Sequence, residues 1–426
     1  MTTLTRSQRR AAQRELRRTV VATSTFNVAS TACAGIAGIL VARSVGPGVR
    51  GDYAAIMAWF GLLIAVGGLG QSAATTFHVA RDPARAADYT ALSRNMLIGS
   101  GTVILSAGLL AAPLLSSGSR GVLLGYQLMF VSCLASIVGT SWVFALQGTD
   151  ISTWNLVRVC QPVGSLVLVF ALHAAGHLTL VTAMAAFCAT MVAQTALAYG
   201  FCARGRLTGG RARWTLAGPL ARFGAGQLAI TIPMVAMSRI DQLALALTSE
   251  PATLGNYAVA ASLTNLAIPV AAGLGSVAFP RIAARRGPRP ATTRLQRQAV
   301  AVSAGIGLAL MLPLAAVAPW LVPLVFGAGF DHAAGLVFLL APGGVFLASQ
   351  QVCTDLLRGH GRPFDAAWAQ AAAAGLMVVL LAVLMPPLGA AGAAIASSTA
   401  AGVAFLLLLR ALNRALAHPD QKGPTP

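Results

Sequence analysis

Lysine is all but missing from this chain: Lys422 stands alone among 30 basic residues, the rest of which are arginine. Acids are scarce as well, 11 in 426 residues, and charged residues make up only 10%. A soluble globular protein carries about 25% charged residues, so this chain cannot clothe a soluble exterior of its size. There is no GxxxxGK[ST] phosphate loop, hence no nucleotide-driven module within the chain. The six cysteines (Cys33, Cys133, Cys160, Cys188, Cys202 and Cys353) form no CxxC pair. With no His-Cys-carboxylate cluster beside them, they read as free thiols rather than metal ligands. No loop collects the paired acids of a hydrolytic or glycosyl-transfer site, so the expectation is a non-enzyme without cofactor or metal. The run Gly46-Pro47-Gly48-Val49-Arg50-Gly51 matches GxGxxG literally. It lacks the preceding strand and βαβ setting that a dinucleotide site requires, and is rejected as one.

Apolar residues fill the space that charge leaves. They make up 56% of the chain and recur along its whole length in runs long enough to cross a bilayer, each needing about 20 residues. The fold expected is all-α integral membrane, with about twelve spans near 19–42, 53–77, 92–115, 121–146, 153–174, 178–202, 223–248, 257–279, 299–321, 335–357, 366–385 and 391–409. Six arginines before Thr19 imitate a signal-peptide n-region, but the apolar stretch from Thr19 to Ala42 exceeds a typical h-region and reads as an uncleaved first span.

The net charge of +19 would suggest nucleic-acid binding in a soluble protein. Here the arginines sit between the apolar runs instead, and no nucleic-acid partner is expected. With the N-terminus inside, 26 of the 30 basic residues fall on the cytoplasmic side; Arg43, Arg50 and Arg120 fall outside, and Arg239 lies within a span. That distribution obeys the positive-inside rule and places both termini in the cytoplasm of a bacterial plasma membrane.

The chain also repeats itself. Gly51-Asp52-Tyr53-Ala54 after the first span matches Gly255-Asn256-Tyr257-Ala258 after the seventh. Leu146-Gln147-Gly148 matches Leu357-Arg358-Gly359, each followed by a tryptophan (Trp154, Trp368), and Pro113-Leu114 matches Pro323-Leu324. Three short matches in consistent order suggest a duplicated six-helix unit, the alternative being chance matches in a low-complexity apolar chain. The expected organisation is a basic tail at 1–18, a bundle at 19–202, an inter-bundle loop at 203–222, a second bundle at 223–409 and a tail at 410–426. Two parallel repeats of this kind suit a transporter with a central cavity.

Charges inside hydrocarbon are costly unless they face a cavity or a partner, which makes Arg239 and Asp241 of span seven the leading site candidates. One reading has Arg239 facing a central cavity to hold an anionic head group, with Asp241 binding a proton or cation. The other makes them structural pairs with another helix or interfacial snorkellers. Residues two apart do not share a helix face, so the two should point in different directions, beyond a kink expected at Pro233. Arg158 and Gln161 of span five are further substrate-binding candidates, with snorkelling as the plain alternative for Arg158. Asp355 and Arg358, three apart, are expected to pair with each other.

Several short motifs carry a family likeness. Ile240-Asp241-Gln242, Leu254-Gly255-Asn256-Tyr257-Ala258-Val259-Ala260 and Phe279-Pro280-Arg281 stand in order with Pro323-Leu324-Val325-Phe326-Gly327 and Leu357-Arg358-Gly359-His360-Gly361-Arg362. Leu40-Val41-Ala42-Arg43 and Gly46-Pro47 precede them. Together they resemble the polysaccharide-export flippases of the multidrug/oligosaccharidyl-lipid/polysaccharide exporter superfamily. The resemblance implies two six-helix bundles around a cavity that opens alternately to each side. It also implies that a polyprenyl-pyrophosphate-linked oligosaccharide, or a similar lipid-linked glycan, is carried from the cytoplasmic to the outer leaflet. The partners implied are that glycan, membrane lipids and glycan polymerases or glycosyltransferases. The drug-exporting branch shares the helix plan, but its N-terminal coupling acids have no counterpart here, since spans one to six hold no central Asp or Glu. A cation-coupled drug exporter and a non-transporting scaffold for glycan synthesis are the alternatives.

Overall fold

The computed structural model describes residues 6–268, 290–360 and 362–417. Within them the chain is helical, with no strand among the described residues. The helices are α1 (Arg6–Gly67), α2 (Gln71–Arg81), α3 (Ala86–Leu115), α4 (Arg120–Thr149), α5 (Ile151–Ala174) and α6 (Leu180–Arg204). They continue as α7 (Ala217–Thr248), α8 (Pro251–Thr264), α9 (Pro290–Phe326), α10 (Asp331–Gly359) and α11 (Pro363–Ala417). Nine helical stretches among the described residues are long and apolar enough to cross a membrane.

Two of these hold two legs each. In α1 the backbone leaves helical geometry at Gly46 (φ 75°, ψ 174°), directly before Pro47. In α11 it does so at Gly389 (φ 55°, ψ −131°), after Pro386 and Pro387. Glycine accepts a positive φ without a Cβ clash, and proline offers no N–H to continue the ladder. The breaks fall where the expected spans one and two, and eleven and twelve, are joined. Part of the expected eighth span and the Phe279-Pro280-Arg281 motif lie outside the described residues, so the described helices do not by themselves give the count of twelve.

One expected span is corrected. The span expected near 53–77 is interrupted: α1 stops at Gly67 and α2 begins at Gln71. Leu69 (φ 49°) and Gly70 (φ 63°) turn the backbone left-handed between them. Three of the four residues in Gly67-Gly68-Leu69-Gly70 are glycine, which weakens a helix by about 1 kcal/mol each relative to alanine.

Burial follows the logic of lipid rather than water. Leu110, Leu114, Trp320 and Leu324 are exposed, while Gln71, Ser93, Ser132 and Ser141 are buried. Alanine dominates the buried positions, as expected where helices pack through small residues and hydrocarbon covers the outside. Helices α2 to α6 pack among themselves, as do α9 to α11, and α1, α7 and α8 join the two groups. Ala42, Ala54 and Ala55 of α1 belong to the apolar core built mainly by α8, α10 and α11.

That joint brings the two copies of the repeated motif face to face. A Cβ on Gly51 would fall 1.7 Å from the Pro251 carbonyl oxygen, and one on Gly255 would fall 2.0 Å from that of Pro47. The first glycine of each Gly-[Asp/Asn]-Tyr-Ala copy is therefore what lets the two backbones touch. At the far end of the joint, Gly70 lies equally close to the backbone of Gly224 on α7. The loop between α6 and α7 is tied down as well: the Asp88 carboxylate accepts from the Arg211 backbone N–H at 2.9 Å and pairs with the Arg213 guanidinium at 2.9 Å.

Candidate substrate cavity

Helix α7 runs without interruption through Pro233 to Thr248. Its middle faces a cavity of 510 Å³ whose walls come from α7, α8, α10 and α11. Arg239, Asp241 and Gln242 line it from α7, Thr264 and Asn265 from α8 and just beyond, Gln350, Gln351 and Thr354 from α10, and Gln370 and Ser397 from α11. Met234, Met237, Leu340 and Leu347 complete the wall with apolar surface. The volume lies within the range of roughly 300–1,000 Å³ found for ligand pockets.

Asp241 is only 6% exposed, and it is held in place on both carboxylate oxygens. Its Oδ2 accepts from the Tyr257 hydroxyl at 2.5 Å, and its Oδ1 accepts from the Gln242 backbone N–H at 2.8 Å. Ser397 of α11 lines the cavity beside the same pair. A buried carboxylate survives in such a place only with donors of this kind around it. Tyr257, the tyrosine of the second motif copy, is fully buried and thereby links α8 to α7. In the first copy Tyr53 instead carries the Arg50 guanidinium over its ring, at 5.3 Å.

Arg239 is half-buried and turns the other way, toward α1. Its Nε would stand 3.1 Å from a Cβ on Gly61, so the absence of a side chain at Gly61 makes room for the guanidinium. Among the described residues Arg239 makes no hydrogen bond or ion pair, although it borders the cavity together with Asp241. The two charges thus diverge as their spacing predicts, and still share one cavity.

Arg158 and Gln161 are not on that wall. Both are half-buried on α5, in the other group of helices, and the Arg158 guanidinium stacks over the Trp154 ring at 4.3 Å. Asp355 and Arg358 pair as expected, at 3.4 Å, and Asp355 also accepts from Gln351 at 3.2 Å.

Charge alone did not point to the neutral polar lining. Gln350 donates to the Ala401 carbonyl at 2.7 Å, and Gln370 donates to Gln350 at 3.2 Å. The signal was present as a Gln350-Gln351 pair inside an apolar run. All six cysteines are free thiols, and no metal-binding group of His, Cys, Asp or Glu occurs among the described residues.

Among curated proteins none matches this sequence. Among solved structures, an inward-facing multidrug resistance MATE family transporter of the MOP superfamily aligns with a TM-score of 0.74 at 16% identity, covering 92% of this chain and 96% of that one. The lipid II flippase MurJ, in an inward closed conformation, aligns with a TM-score of 0.71 at 12% identity over 91% of this chain and 87% of that one. A MOP superfamily transporter from Pyrococcus furiosus, described as having a binding pocket of reverse polarity, gives 0.61 at 16% identity over 95% and 96%. At these identities the likeness concerns the fold. The family model for polysaccharide biosynthesis proteins matches residues 16–285, well over half the chain. This chain belongs to the polysaccharide biosynthesis protein family, folded as the transporters of the MOP superfamily are.

Proposed function

We propose that this protein is a flippase that carries the pyrophosphate-bearing head of a lipid-linked oligosaccharide from the cytoplasmic to the outer leaflet by alternating access. The fold alone does not choose the cargo, because it hosts both drug transporters and a lipid flippase. The observation that carries the choice is Arg239: a guanidinium without a hydrogen bond or ion pair among the described residues, at the joint between the two helix groups and on the rim of a polar cavity. A guanidinium keeps its charge at low dielectric and forks onto phosphate oxygens. The head would enter this region while the lipid tail stays in the bilayer.

In this reading residues 19–202 and 223–409 form two six-helix bodies, twelve spans in all, with both termini cytoplasmic. Rocking of the two bodies, which closes the outer side where Gly51 and Gly255 bring α1 and α8 together and opens it where they part, exposes Arg239 to each side in turn. Arg158 and Gln161, on the other body, would receive the sugar or second phosphate during the swing. The chain carries no phosphate loop, so an ion gradient, the membrane potential or substrate supply drives the cycle. Asp241 is the coupling acid, since binding a proton or cation there would change its contact to Tyr257. Glycosyltransferases or a glycan polymerase would act before and after it.

A cation-coupled exporter of small molecules is the second reading, favoured by the same buried Asp241 cluster. A strain lacking the protein separates the two. The flippase reading expects lipid-linked glycan to accumulate on the cytoplasmic leaflet, to be cleared by wild type, and to persist with Arg239→Ala at equal protein level. No accumulation, or full clearance by the variant, would reject it.

A further inference from the structure

The two legs of α11 enclose a second basic cavity that the transport reading leaves unused. It measures 360 Å³ and lies where the first leg begins and the second ends. Arg410 and Arg414 line it from the second leg, and Asp365 and Trp368 from the first, over a floor that includes Ala369 and Ala411. The arginines are four residues apart, one above the other on a single helix face. Both are exposed, and neither hydrogen-bonds or pairs with any described residue. Asp365 pairs with Arg362 at 3.6 Å, so the cluster as a whole keeps a surplus of positive charge.

Two like charges one turn apart repel each other, and an anion held between them relieves that repulsion. The surroundings indicate which anion. Trp368 is 75% exposed beside them, as tryptophans stand at the level of lipid head groups. Leu407 continues the wall on the membrane side of Arg410 with apolar surface. The site therefore offers two guanidiniums at the interface, with hydrocarbon contact immediately below. Basic pockets between membrane helices are suited to anionic lipid heads.

We propose that this cavity binds the phosphate of an anionic membrane phospholipid, gripped by Arg410 and Arg414 and shelved by Trp368. The lipid would staple the two legs of α11 together. Ser397 and Ala401, which line the substrate cavity, lie on the second of these legs, so the lipid would steady that wall too. The inference rests on α11 crossing the membrane and not on the flippase reading, so the two can fail separately.

The test is native mass spectrometry of the full chain released from detergent with phosphatidylglycerol or phosphatidylcholine added, for wild type, Arg410→Gln/Arg414→Gln and Arg410→Lys/Arg414→Lys. Thermal unfolding of lipid-free protein establishes that each variant is folded. Each surface arginine near an anionic head is worth about a fivefold gain, so losing both should weaken phosphatidylglycerol binding about 30-fold. The lysine pair should keep most of it, and phosphatidylcholine should bind wild type and variants alike. Equal phosphatidylglycerol retention by the glutamine pair would overturn the proposal, as would equal retention of phosphatidylcholine by wild type. Inorganic phosphate competing at the lipid's own concentration would overturn the lipid assignment, because the site would then read the anion alone.

Discussion

The contact between the two motif copies makes a sharp prediction about Gly51→Ala. The added methyl would sit 1.7 Å from the Pro251 carbonyl oxygen, and both partners are backbone, so no rotamer change relieves the overlap. Reaching even a tight contact of 3.0 Å requires the two segments to part by more than about one ångström. Overpacking of this kind costs about 1–3 kcal/mol. The strain falls only on the state in which these segments touch, so the equilibrium should shift roughly 5- to 150-fold toward the state opened at this end. The assay is labelling by a membrane-impermeant maleimide of a cysteine placed at Ser238, on the cavity wall, in a background freed of the six native cysteines. Reagent is added from the outer side of sealed, oriented cells or vesicles. Gly51→Ala, and Gly255→Ala by the same geometry, should accelerate labelling within that range. A well-folded Gly51→Ala protein labelled at the wild-type rate would refute the idea that this glycine contact closes the outer side.

Three further outcomes follow from single contacts. Tyr257→Phe leaves the buried Asp241 short of a donor and should lower stability by about 1.5–3 kcal/mol, read as a lower melting temperature in detergent. Asp150 caps α5 by accepting from the backbone N–H groups of Ser152 and Thr153, at 3.0 and 3.2 Å, so Asp150→Ala should cost about 1 kcal/mol. The hydroxyl and N–H of Thr153 hold the Asp150 carboxyl below the usual carboxylate range. Its stabilisation is thus complete above about pH 4 and lost as the pH falls through that lowered value, so the gap to Asp150→Ala should close in acid. Asp88→Ala releases the Arg211 backbone and the Arg213 side chain, and with them the loop between α6 and α7; as a partly exposed pair contributes at most about 1 kcal/mol, melting should barely change while proteolysis within 205–213 accelerates.

How much of this could be read from the sequence varied with the kind of interaction. Alternating apolar runs and arginine-rich joints are one-dimensional signals, so most of the apolar spans among the described residues and the joints at Gly46 and Gly389 followed from them. Arg239 and Asp241 were conspicuous because charge is rare in an apolar helix. The break at Gly67–Gly70 was hidden because hydropathy is blind to backbone dihedrals. The motif duplication was visible, but not that its two glycines touch each other, since this contact depends on how the two helix groups come together in space. Tyr257 was noticed as part of a motif and not as the donor to Asp241, sixteen residues away on another helix. The glutamines of α10 and α11 carry no charge, and only their convergence on one cavity gives them meaning.

The most direct test uses purified protein in liposomes that contain a fluorescent polyprenyl-pyrophosphate sugar, with its movement between leaflets followed by quenching from outside. The flippase account predicts protein-dependent movement by wild type. Losing the charged contact at Arg239→Ala removes about 1.5–3 kcal/mol and should slow movement roughly 10- to 150-fold, with Arg239→Lys in between. Movement at the wild-type rate by folded Arg239→Ala, or none by wild type, would contradict it.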